Sequence, residues 1–228
     1  DEFKQYQMQQ HLSDSEGRLR FLLGDVRDLS RLTRAFAGVD IVVHAAALKQ
    51  VPALEYNPLE AVKTNIWGTQ NVIDAALDSG VEKVLLVSTD KAANPINLYG
   101  ATKLCAEKLL VAANAYRRAS QLPPYFSVVR YGNVVGSRGS ITETLNEQKK
   151  SGEVTLTDAQ MTRFWITLEQ SFKLVTFAVK EMIGGEIFIP KIPSMKLVDL
   201  FDTLVPNAKK EFIGIRPGEK MHEILITP

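Results

Sequence analysis

Val84-Leu85-Leu86-Val87-Ser88-Thr89-Asp90-Lys91, followed by Tyr99-Gly100-Ala101-Thr102-Lys103, is the stretch from which the fold is read. Val84 to Val87 is short, apolar and partly β-branched, which reads as a strand buried in a parallel sheet. Thr89 to Lys91 then sit where that strand ends, at the edge where open α/β sheets bind ligands. Tyr99 and Lys103 have i, i+4 spacing, so they share one face of the helix that follows. A lysine one turn below a tyrosine holds the phenol and lowers its pKa, making it a usable base near neutral pH. Singly, Thr89 and Asp90 read as helix caps and Lys91 as a solvated charge. Their joint position at a strand end and a helix start marks them as a catalytic group.

Outward from this stretch, strand-like and helix-like segments alternate. Arg20–Leu23 reads as a strand, Leu29–Phe36 as a short helix and Asp40–Ala45 as a strand. Pro58–Asp78 carries apolar residues at helical spacing, and Gly80 suits its end. A helix from about Asn97 to Ala119 follows, Pro123-Pro124 breaks the chain, and Phe126–Tyr131 is a further strand. The alternation predicts an α/β fold with a Rossmann-like, doubly wound parallel sheet. After Gly132 the pattern is mixed. Helices are expected near Ile141–Lys149, Leu168–Met182 and Lys196–Leu204, with short extended segments at Val154–Leu156, Glu186–Ile189 and Glu211–Gly214. From about Gly136 onward this reads as a smaller substrate-binding region.

A dinucleotide-binding sheet normally opens with a strand, a G-x-G-x-x-G turn and a helix. This sequence opens instead with a polar helical stretch, Glu2–Gln10, and contains no such glycine pattern. The expectation is therefore a sheet incomplete at its amino-terminal edge, with the first strand, the glycine loop and the second strand outside this sequence.

The 228 residues suffice for a substantial core, and 27 Lys plus Arg against 26 Asp plus Glu predict no attraction to nucleic acid or membrane. No apolar run is long enough for a membrane span, and Asp1-Glu2-Phe3-Lys4-Gln5 is not a signal peptide, so a soluble cytoplasmic protein is expected. The single Cys105 lies one position off the Tyr99/Lys103 face and reads as a half-buried structural thiol. His11, His44 and His222 show no metal-ligand spacing, and no metal is expected.

Four further motifs carry a family resemblance: Gly24-Asp25-Val26-Arg27-Asp28, His44-Ala45-Ala46-Ala47-Leu48-Lys49, Arg130-Tyr131-Gly132-Asn133-Val134-Val135-Gly136-Ser137-Arg138 and Met161-Thr162-Arg163-Phe164-Trp165. With Ser88–Lys103, Thr64–Asn71 and Gly214–Lys220, they make the sequence resemble the extended short-chain dehydrogenases/reductases. More closely it resembles the configuration-inverting UDP-N-acetylglucosamine 4,6-dehydratases, which make precursors of pseudaminic acid and related sugars. The resemblance runs along nearly the whole chain, though the sequence stops short of that family's usual carboxyl terminus. It implies an NADP-binding Rossmann-like domain over residues 1–135 and a nucleotide-sugar-binding region over 136–228. It also implies UDP-N-acetylglucosamine as substrate, a homo-oligomer, and a role in bacterial surface glycan or flagellin sugar synthesis.

The resemblance gives Thr89, Asp90, Lys91, Tyr99 and Lys103 the catalytic roles. It assigns cofactor contacts to Asp25, Val26, Ala45, Ala46, Lys49, Asn65, Tyr99 and Lys103. Substrate contacts fall to Lys49, Tyr131, Asn133, Arg138, Arg163 and Arg216, the arginines being suited to bidentate phosphate binding. Asp25 reads equally as a turn cap, and Asn65 as a core hydrogen-bonding group. Configuration-retaining relatives carry Thr-Asp-Glu where this chain has Thr89-Asp90-Lys91. A lysine base must be neutral, which costs about 4 kcal/mol at neutral pH from its reference pKa. Two alternatives stay open: a nucleotide-sugar epimerase of the same fold, and a chain that folds without holding cofactor.

Overall fold

The computed structural model describes residues 1–12, 16–116, 123–137, 145 and 152–227. In chain order the first elements are α1 (Glu2–His11), α2 (Leu29–Phe36), β1 (Ile41–His44), α3 (Val51–Tyr56), α4 (Pro58–Ala61) and α5 (Gly68–Ser79). Next come β2 (Lys83–Thr89), α6 (Leu98–Ala112), β3 (Tyr125–Tyr131), β4 (Asn133–Val134), β5 (Glu153–Leu156) and β6 (Thr162–Ile166). The remainder are α7 (Leu168–Glu181), β7 (Ile187–Phe188), β8 (Ser194–Lys196), α8 (Leu197–Leu204) and β9 (Lys209–Phe212).

The apolar run that reads as a strand is β2, and it lies inside a parallel sheet of order β1-β2-β3-β7. Its register runs from Lys83 opposite Tyr125 to Thr89 opposite Tyr131, with His44 opposite Leu86 on the other side. Val84 and Leu86 point into a core shared with Val72, Ile73 and Ala76 of α5 and Ala106 and Leu110 of α6. Leu85 points the other way, into a core with Val129, Ala178 of α7 and Met182, and Val87 packs against it. Helices cover both faces, which is why β2 shows no polar alternation. Both α7 and β7 come from beyond residue 136 and return to this sheet. A separate core of Val154, Leu156, Met161, Trp165, Leu197 and Phe201 carries the β4-β6-β8 and β5-β9 sheets.

Three expectations are corrected. Arg20–Leu23 is not a strand. A strand needs a neighbour for its backbone, whereas here the carbonyls of Leu22 and Leu23 accept from the side chains of Gln5 and Arg31 at 2.9 and 2.6 Å. The helix expected over Pro58–Asp78 is interrupted by a π-helical turn at Val62–Trp67, a deviation that leaves the apolar spacing almost unchanged. Cys105 is exposed rather than half-buried. The inward side of α6 is Gly100, Lys103, Glu107 and Leu110, and Cys105 lies opposite that row. The helix from Asn97 ends at Ala112 with a short 3₁₀ turn to Tyr116. The rest of that span and the helix near Ile141–Lys149, except Leu145, lie outside the described residues.

Candidate active site

The carboxyl ends of β1, β2 and β3 open onto a cavity of about 350 Å³ lined by Ala45, Ala47, Lys49, Thr89, Lys91, Tyr99, Lys103, Tyr131 and Asn133, among others. Backbone geometry brings the group together. Thr89 ends β2 and caps the 3₁₀ turn Asp90–Ala92, its Oγ1 accepting from the Lys91 amide at 3.4 Å. Asn97 caps α6 by accepting from the Gly100 amide at 2.8 Å. A Cβ on Gly100 would lie 2.2 Å from the Lys91 carbonyl oxygen, so only glycine lets the first turn of α6 rest on the Lys91 backbone. That contact sets Tyr99 beside Thr89-Asp90-Lys91. Gly132 serves the facing wall in the same way, since a Cβ there would meet the Phe164 carbonyl oxygen at 2.5 Å.

Within the group, Asp90 is fully buried. Its Oδ1 accepts from Thr89 Oγ1 and from Lys91 Nζ, both at 3.0 Å, while Oδ2 has no hydrogen-bond partner among the described residues. The Lys91 side chain is 23% exposed, so its amine meets both the carboxylate and the cavity. A buried carboxyl and an accessible amine in direct contact, beside two hydroxyls, can deliver one proton and remove another at neighbouring atoms of a bound substrate.

The tyrosine–lysine pair departs from expectation. Burial pushes the Tyr99 phenol up to about 12, and Asp90 adds to this against a hydrogen bond from Thr89 that lowers it. Burial pulls Lys103 down to about 8, partly offset by Glu107. The Lys103 amine donates to the Val87 carbonyl at 2.9 Å instead of reaching the phenol, which is why the phenol is not lowered here.

The other expected residues divide. Asn65, brought inward by the π turn, spends its amide on the chain: Oδ1 accepts from Leu48 N, and Nδ2 donates to Leu48 O and Thr102 Oγ1, at 2.8, 2.9 and 3.0 Å. It is a core hydrogen-bonding group that fixes the loop leading to Lys49, and it does not line the cavity. Both carboxylate oxygens of Asp25 are held by the Arg27 guanidinium, which keeps its pKa below the usual range, and Val26 packs against α5. Neither lines the cavity, and nor does Ala46. Arg163 is buried and donates to the carbonyls of Thr162 and Met221, while Arg216 pairs with Glu219 in the open. Arg138 lies outside the described residues. Gln50, Ser88, Gly132 and Ser137 also line the cavity without having been singled out, although Ser88, Gly132 and Ser137 lie within quoted motifs and Gln50 adjoins one. Beneath it, Glu107 accepts from Ser88 Oγ at 2.5 Å and from Arg130 Nε at 3.1 Å, a buried pair hidden in the sequence by ordinary helix and strand positions.

A family model described as polysaccharide biosynthesis protein matches residues 1–228. The chain is 53% identical, over 100% of its length and 67% of the relative's, to the UDP-N-acetylglucosamine 4,6-dehydratase (inverting) of Campylobacter jejuni subsp. jejuni serotype O:23/36. It is 42% identical, over 100% of its length and 67% of the relative's, to the UDP-glucose 4-epimerase of Rickettsia rickettsii. Among solved structures, Pen from Bacillus thuringiensis superposes with a TM-score of 0.94 at 43% identity, covering 100% of this chain and 72% of that one. The dTDP-glucose 4,6-dehydratase DesIV from Streptomyces venezuelae, solved with NAD bound, superposes at 0.82 with 25% identity, covering 93% and 72%. These likenesses agree with the expected Rossmann-like fold.

Proposed function

This chain belongs to the polysaccharide biosynthesis protein family, and from that premise we propose that it dehydrates UDP-N-acetylglucosamine at carbons 4, 5 and 6 with inversion at carbon 5. The product is a UDP-2-acetamido-2,6-dideoxy-hexos-4-ulose. The observation that carries this reading is the contact of Asp90, buried just behind the cavity wall, with Lys91, which lines that wall beside Thr89 and Tyr99. Elimination of water needs an acid and a base next to each other, and an epimerase does not.

The cofactor is proposed to be NADP, the resemblance choosing it over NAD. The residues present fit its nicotinamide–ribose end. Ala45 and Ala47 give the wall no bulk, and the buried Lys103 amine uses one of its donors on Val87 while facing the cavity. The chemistry such a group supplies when bound is reversible two-electron oxidation of the sugar. Tyr99 and Thr89 hold the carbon-4 oxygen, with Tyr99 taking its proton once Lys103 turns to the phenol. Beside the resulting ketone the carbon-5 proton is acidic. Lys91 removes it, Asp90 protonates the departing carbon-6 hydroxyl, and the two electrons taken from carbon 4 return to carbon 6 as carbon 5 is reprotonated from the opposite face. Lys49, Tyr131 and Asn133 line the cavity and are proposed as sugar contacts, and Arg138, Arg163 and Arg216 are assigned to the nucleotide by resemblance. Residues 1–135 are proposed as the cofactor half and 136–228 as the nucleotide-sugar half. A cytoplasmic homo-oligomer serving surface-glycan or flagellin sugar synthesis completes the proposal.

The test is mass analysis of the products formed by the protein loaded with cofactor. Lys91→Ala should lower water loss by about 10²–10⁴-fold, the usual worth of a positioned base, and Tyr99→Phe should abolish turnover. Full dehydration by Lys91→Ala would overturn the assignment. Interconversion at carbon 4 without loss of water would favour the epimerase reading, which the Rickettsia relative supports.

A further inference from the structure

The carboxy-terminal segment from Gly218 to Leu225 is latched across the catalytic turn. Asn97 Nδ2 donates to the Gly218 carbonyl at 2.7 Å, and Lys220 Nζ donates to the Ala93 carbonyl at 2.7 Å. Further on, Arg130 Nη1 donates to the Leu225 carbonyl at 2.8 Å. Between these anchors Glu223 points inward. Its side chain is 3% exposed, Oε1 lies 3.5 Å from Lys91 Nζ, and Oε2 lies 3.5 Å from Lys220 Nζ without a hydrogen-bond partner among the described residues. A carboxylate so deeply buried is costly unless its charge has a use, and two lysines are the charges it meets.

We propose that Glu223 is a positioning residue for Lys91, holding its amine toward the cavity and stabilising the ammonium formed there. The inference rests on the dehydratase reading given above. In the elimination the carbon-5 proton passes to Lys91 Nζ and the electron pair of that bond becomes the carbon 5–carbon 6 double bond. The carbon 6–oxygen bond breaks, and the leaving oxygen takes the Asp90 proton and departs as water. Lys91 therefore gains a positive charge as Asp90 gains a negative one. Without Glu223 the new ammonium would have Asp90 as its one carboxylate partner among the described residues. Glu223 provides a second anchor on the other side, and Lys220 balances the Glu223 charge and ties it to the turn. This matches the orienting third group that activated bases commonly carry.

The test uses the cofactor-loaded full chain with substrate carrying hydrogen or deuterium at carbon 5. Glu223→Gln keeps the shape and removes the charge. It should lower kcat between about tenfold and a hundredfold, as expected for losing a charged partner, with KM changed less than about threefold. The deuterium isotope effect on kcat should rise, because proton removal becomes slower than every other step. Glu223→Asp should recover part of kcat. An unchanged kcat and isotope effect in Glu223→Gln would overturn the inference, and so would a lowered kcat with no rise in the isotope effect. Lys91→Ala separates the two readings. If it still dehydrates, Lys91 is not the base and the positioning role falls with that assignment; if it does not and Glu223→Gln is normal, only the positioning role fails. A parent protein that releases no water overturns the dehydratase reading itself.

Discussion

His44, at the end of β1 where the chain turns into the cavity wall, gives the fold a defined weakness to acid. Its ring is buried, and Nε2 lies 3.1 Å from Thr69 Oγ1. The Thr69 hydroxyl gives its proton to the Asn65 carbonyl at 2.7 Å, so it accepts from His44, and the ring is neutral with its proton on Nε2. Burial pulls the pKa to about 3, and the Lys103 charge acts in the same direction. The unfolded chain takes up this proton near 6.5 and the folded one near 3, so stability falls as pH falls between those values. The slope approaches about 1.4 kcal/mol per pH unit below 6.5 and integrates to about 2 kcal/mol between pH 6.5 and about pH 4.5. Asp25, Asp28, Glu60 and Glu186 are held below ordinary carboxylate values of 3.8 and 4.5, so their losses set in as pH falls through those ordinary values, at the acid end of this window and below it, and are the same in parent and variant. Urea unfolding of the parent and His44→Gln near pH 6.5 and pH 4.5 isolates the effect, since glutamine retains a donor but does not titrate. His44 should cost the parent about 2 kcal/mol across this window that the variant does not lose. Parallel losses in the two proteins would refute the burial argument.

Lys103 gives the opposite window. Its folded pKa of about 8 lies below the ordinary 10.5, so the fold sheds this proton first and stability should rise between those pH values. The rise should be about 3 kcal/mol by urea unfolding and should be flattened in Lys103→Met. Glu107→Ala should destabilise the fold by about 3–5 kcal/mol, because it leaves the Arg130 guanidinium buried without its carboxylate. Thermal or urea unfolding of that variant measures the loss directly.

Much of the fold was legible because its signals are local. The apolar run at Val84 and the periodicity of Leu29–Phe36 each need only their own residues to be read, and both became the expected elements. Arg20–Leu23 failed because a strand is defined by its neighbour, and its carbonyls found side chains instead. The π turn escaped because one extra residue in a turn barely alters which positions are apolar. At the site, Thr89, Lys91, Tyr99 and Lys103 fall within one strand–turn–helix, so spacing alone brings them to one cavity, with Asp90 buried behind Lys91. Glu223 and the Glu107–Arg130 pair were hidden because tertiary packing alone brings these distant positions together. The direction of the Lys103 amine was hidden too, since a shared helix face does not say which acceptor a flexible side chain chooses.

The central claim is that Lys91 and Asp90 carry out an elimination across carbons 5 and 6, after which carbon 5 is reprotonated from the opposite face. The most direct measurement incubates the cofactor-loaded protein with UDP-N-acetylglucosamine in deuterium oxide and determines the product by mass and NMR. The account predicts loss of water, one solvent deuteron at carbon 5 and the L-arabino configuration of the 4-keto-6-deoxy sugar. A product that keeps its original carbon-5 configuration, or that carries no deuterium there, would contradict it.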